Sequence, residues 1–113
     1  GMNDLMRPAL YDGYHKILPL AETKNTEKIS TDIVGPICES TDRLFSSNEF
    51  YDVKEGDLLA ILNSGAYGSS MSSNYNSRPK LFELMIDKDK IYIIREKESF
   101  DDLIKGEKIL PES

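Results

Sequence analysis

The 113 residues, 39% apolar and 30% charged, suffice for one modest hydrophobic core and not for two. A net charge of −6 excludes a nucleic-acid surface, which needs clustered Lys and Arg to neutralise phosphates. One cysteine excludes an internal disulfide framework, and no apolar run reaches membrane-spanning length or a secretory pattern, so a cytoplasmic location is expected.

In chain order, residues 3–11 (NDLMRPALY) read as a loop or a single helical turn interrupted by Pro8. Strand character starts at Tyr14, with His15, Ile17 and Leu20 punctuated by Pro19 and followed by the polar loop AETKNTEK. Ile29 to Val34 alternates as a half-buried strand and stops at Gly35-Pro36, after which ICESTDRLFSSNEF reads as irregular. Glu55-Gly56 marks a turn before Leu58–Leu62, a continuous apolar run suited to a buried strand. The runs LFELMID and IYIIRE, separated by a short charged turn, predict a hairpin. Ser99 as N-cap, acidic residues behind it and Gly106 as a stop predict a short C-terminal helix. The expected fold is a single, mostly β domain over 1–113, a Greek-key-like barrel or sandwich with a short C-terminal helix.

Three constellations could carry chemistry. Arg7 and Tyr11 lie one helical turn apart, so a guanidinium fork and a phenol could face one anionic ligand. A surface arginine beside a core tyrosine has the same spacing. In GPICESTD, Cys38 precedes Glu39, and a thiol near its ordinary pKa of about 8.5 can donate a proton with modest tuning. A buried filler thiol is the plainer reading. With no second cysteine and His15 far away in sequence, no metal site is expected. In GAYGSSMSSNYNSRP, Gly65 and Gly68 flank Tyr67 and would let the backbone approach a ligand, although a well-bonded surface loop has the same composition.

Together, MNDLMRPALY, GPICESTD and GAYGSSMSSNYNSRP resemble, in the same order, the C-terminal domain of the diaminopimelate decarboxylases. These belong to the alanine racemase-like, fold-type III pyridoxal-phosphate enzymes. The resemblance implies a β-barrel domain that follows a cofactor-binding (β/α)8 barrel, completed by a strand from the far N-terminus. The Schiff-base lysine, the phosphate site and the acidic partner of the pyridine nitrogen would lie on that other domain. The isolated chain would therefore be inactive and prone to self-association through an open edge. By position, Arg7 and Tyr11 would bind the substrate carboxylate remote from the reaction. Cys38 and Glu39 would reach into the active site of the other subunit of a homodimer, Cys38 as proton donor after CO2 loss and Glu39 on the distal ammonium. Tyr67 would contact the cofactor phosphate or the substrate, within a strand-and-turn. The reaction implied is conversion of meso-diaminopimelate to L-lysine, with ornithine, arginine and carboxynorspermidine decarboxylases and a free-standing β binding module as alternatives. Thr41 stands where the family usually has glycine, and a β-branched residue fits poorly at positive φ.

Overall fold

The computed structural model describes residues 1–22 and 27–112, so the centre of the polar loop AETKNTEK lies outside the described residues. The chain divides into two units, Gly1–Ser72 and Ser73–Ser113. It is mostly β, with few helices, and its strands pair as three two-stranded antiparallel sheets without closing a barrel among the described residues.

In the first unit, α1 (Arg7–Tyr11) is one turn long, with proline in its first turn, where the missing N–H costs nothing. It ends on Asp12 in the left-handed conformation (φ 57°). The N–H groups of Asp12 and Gly13 bond back to Pro8 O and Arg7 O at 3.2 and 3.0 Å, which ties off the end of the helix around the left-handed residue. A Cβ on Gly13 would lie 2.9 Å from that of Arg7, so this close wrap needs glycine. β1 (Ile17–Pro19) pairs with β4 (Leu59–Ile61), and Pro19, without an N–H to offer, stands at its end. The apolar run around β4 is half-buried and not enclosed as its composition suggests.

β2 (Lys28–Val34) pairs with β3 (Arg43–Tyr51), with register shifts between Ile29 and Thr31 and between Ile33 and Val34. The longest strand thus falls in a stretch whose sequence reads as irregular. The shifts explain why: each moves side chains out of simple alternation, so the period-2 signal is lost although the ladder persists. Phe50 is buried, with Phe45 and Tyr51 rings each 5.6 Å from it. Met2, Leu5, Ile17 and Ile37 complete the small apolar core.

The opening of the tyrosine-rich segment is helical, correcting the expected strand-and-turn. α2 (Gly65–Met71) is two short turns joined across a break at Ala66 and Tyr67. In the second unit, Tyr75–Ser77 forms a 3₁₀ turn, and β5 (Glu83–Asp87) and β6 (Lys90–Arg95) form the expected hairpin. Lys88 adopts φ 56° in its two-residue turn, as primed turns require. α3 (Phe100–Leu103) starts from a capping box in which Ser99 and Asp102 satisfy each other's N–H groups.

Candidate functional site

Arg7 sits at the centre of a cluster assembled within the first unit. Its Nε donates to the Tyr11 hydroxyl at 2.8 Å, so the helical spacing does bring the pair together. Its guanidinium carbon lies 5.5 Å from the Tyr11 ring centre and 5.4 Å from that of Tyr67, delivered by α2. Both distances suit cation–π attraction. Nη1 lies 3.3 Å from Nε2 of His15, whose Nδ1 is 3.0 Å from the Leu62 carbonyl oxygen. His15, distant in sequence from every other candidate except this pair, therefore belongs to the cluster. Its signal was only a histidine between Tyr14 and Lys16 at the start of a strand-like run.

No carboxylate pairs with Arg7 among the described residues. A guanidinium edge has the geometry to take a carboxylate through two parallel N–H bonds. His15 also lines a cleft of about 310 Å³ between the end of α1 and β3, shared with Tyr14, Arg43 and Phe45.

Tyr67 itself, and not either glycine beside it, carries the unusual backbone conformation of this segment. It adopts φ 42°, ψ −31°, whereas Gly65 and Gly68 both avoid positive φ. A non-glycine residue in the left-handed region costs on the order of 1 kcal/mol and persists only where the surroundings hold it. Here its ring is held against Arg7 and Gly68 is buried beside Leu5, while the Tyr67 side chain stays 63% exposed.

Cys38 and Glu39 stand in the same unit, on the loop that joins β2 to β3. Their loop is fixed from its two ends. Ile37 is buried, and Asp42, also buried, accepts the N–H of Met2 at 2.7 Å and that of Ile37 at 2.8 Å. Between these anchors Cys38 to Thr41 are exposed, with Glu39 N–H bonded to Ile37 O at 2.8 Å. Thr41 does not take positive φ, so the replacement of glycine there costs no backbone strain. The thiol is thus presented outward and is not a core filler.

The first 65 residues match the family model described as the pyridoxal-dependent decarboxylase, C-terminal sheet domain. The chain belongs to this family. Within these sheet domains, the chain is 46% identical over 105 residues to the diaminopimelate decarboxylase of Aquifex aeolicus, covering 93% of this chain and 25% of that protein. It is 47% identical over 111 residues to the diaminopimelate decarboxylase of Vibrio cholerae, covering 98% of this chain and 26% of that one. A crystal structure of the M. jannaschii diaminopimelate decarboxylase in complex with L-lysine superposes with a TM-score of 0.87 at 42% identity, over 98% of this chain and 25% of the other. This sheet domain therefore spans about a quarter of the length of the relatives it matches.

A pyridoxal cofactor would find a limited set of groups on the domain. The buried polar residues among those described are Asn3, His15 and Asp42, with no lysine among them. The residues fit a cofactor only at its margin, through the exposed phenol of Tyr67.

Proposed function

We propose that the chain is the C-terminal part of a diaminopimelate decarboxylase and recognises the end of meso-diaminopimelate that does not react. The carrying observation is Arg7, bonded to Tyr11 and His15, flanked by Tyr67 and without a carboxylate partner among the described residues. Removal of one carboxylate as CO2 leaves the far carboxylate and ammonium untouched. A site built on Arg7 therefore holds both the substrate and the product L-lysine, the ligand of the crystallised M. jannaschii relative.

In this reading Arg7 and Tyr11 bind the distal carboxylate, and Glu39 pairs with the distal ammonium. The Cys38 thiol delivers a proton to the α-carbon after CO2 has left. Tyr67 contacts the cofactor phosphate or the substrate. When bound on the remaining three quarters of the protein, pyridoxal phosphate supplies the sink for the electrons released. Cys38 and Glu39, on an exposed loop anchored at its ends by Ile37 and Asp42, serve the active site of a second subunit in a homodimer, while Arg7 and Tyr67 serve their own. The open sheets of the first unit close into a barrel with strands from outside this chain, next to a (β/α)8 domain. None of the helices among the described residues is long and apolar enough to cross a membrane, and a biosynthetic role fits the cytoplasm.

The experiment is CO2 release by the complete protein, loaded with pyridoxal phosphate, on meso-diaminopimelate and on L-ornithine. Turnover of meso-diaminopimelate with little on ornithine supports the reading. A preference for ornithine, or no turnover of either, contradicts it.

A further inference from the structure

We infer that His15 is a positioning residue that aims Arg7 at the substrate's distal carboxylate without neutralising its charge. This rests on the proposed role of Arg7 and adds a residue to it. The His15 ring is 3% exposed, and both of its nitrogens are engaged. The Leu62 carbonyl can only accept, so Nδ1 carries the proton. The guanidinium can only donate, so Nε2 offers its lone pair to Nη1. With the Tyr11 oxygen on Nε, Arg7 is held by two uncharged acceptors.

That choice of partner has a consequence. An aspartate or glutamate at position 15 would orient the guanidinium equally well but would cancel its charge. A phenol and a neutral imidazole fix direction and leave the full positive charge, with both N–H groups of Nη2, for an incoming anion. A histidine placed merely to fill the core would need the Leu62 contact alone. It would not need to turn its second nitrogen to an arginine that has no carboxylate.

His15 also sets the spacing of the two arms of the site. It precedes β1, and Leu62 follows β4, where Leu62 N–H continues the ladder to Lys16 O at 2.8 Å. Asn63 then turns the chain with φ 56° into α2 and Tyr67. The imidazole therefore bridges the segment that carries Arg7 to the segment that carries Tyr67.

Calorimetric titration of the complete, cofactor-loaded protein with L-lysine and with 1,5-diaminopentane reads the carboxylate's contribution as a ratio of affinities. Both ligands meet the same folded sample, so a loss of stability alone does not move the ratio. The expected result is a fall of about tenfold in His15→Phe, the scale of one aimed hydrogen bond to a charged group. His15→Gln, whose amide oxygen can replace Nε2, restores most of it, and His15→Glu lowers it further by pairing with Arg7. An unchanged ratio in His15→Phe beside a fall in Arg7→Leu overturns the positioning role and leaves the carboxylate site intact. An unchanged ratio in Arg7→Leu contradicts the carboxylate site itself. Should His15→Phe not fold, equal ratios in His15→Gln and His15→Glu overturn the inference.

Discussion

The carboxylate of Asp42 occupies the space that a side chain on Gly35 would need, so the two ends of the Cys38 loop are locked by one pair of residues. The Gly35 N–H also donates to the Asp42 carbonyl oxygen at 2.9 Å. Asp42→Ala leaves the buried N–H groups of Met2 and Ile37 without partners, at about 1–3 kcal/mol each. Gly35→Ala displaces the carboxylate and has an effect in the same direction. Thermal unfolding of the complete protein checks both: a clear drop in Tm is expected for each, and unchanged midpoints would show that the loop is not held this way.

Tyr67 contributes through its ring more than through its hydroxyl where Arg7 is concerned. Tyr67→Phe keeps the ring 5.4 Å from the guanidinium, so the ratio of L-lysine to 1,5-diaminopentane affinity should stay within about twofold, whereas Tyr67→Ala lowers that ratio by removing an exposed-site cation–π contact of about 0.5–1 kcal/mol. Equal losses in the two variants would instead place the interaction at the hydroxyl.

Elements built from local chemistry were legible in the sequence. The β5–β6 hairpin, the Ser99 cap and the Arg7–Tyr11 pair follow from turn residues, capping and helical spacing, which act over a few positions. β3 was not legible, because its register shifts break the alternation that marks a strand. The helical form of Gly65–Met71 was hidden by glycines and serines, which favour loops unless tertiary contacts decide otherwise. His15 joined the site through a carbonyl 47 positions away, and no periodicity encodes such a contact.

Acid should loosen one clasp in the second unit. Glu98 accepts the N–H of Lys80 at 2.7 Å and the amide of Asn74 at 2.6 Å, and these bonds hold its carboxyl below the ordinary 4.5. Asp102 is lowered in the same direction by the Ser99 N–H and then its hydroxyl. A folded pKa below the unfolded one means stability that is present above the unfolded value and lost as pH falls through the folded one. Thermal unfolding of wild type and Glu98→Gln across pH checks the sign. The difference should be full above about pH 5 and shrink in acid below it. A difference that does not change with pH would rule the clasp out.

The hairpin of the second unit carries apolar side chains on both faces. Leu84, Ile86, Ile91 and Ile93 share one face, Met85 and Tyr92 the other, and all are exposed. Apolar hairpins exposed in this way associate. The 1–113 polypeptide on its own should therefore sediment as oligomers and bind a hydrophobic dye, and Ile86→Lys with Ile93→Lys should reduce both. A monodisperse, dye-silent monomer would contradict this.

The central claim is that Arg7 selects a substrate with a carboxylate at its far end. It is tested most directly by kcat/KM for CO2 release from meso-diaminopimelate and from L-ornithine, measured on the complete protein and its Arg7→Leu variant. The account predicts at least about a hundredfold preference for meso-diaminopimelate, since a site built around a charged hydrogen-bonding group rejects ligands that leave it unpaired. Most of that preference should disappear in Arg7→Leu. A preference that survives the substitution intact would contradict it.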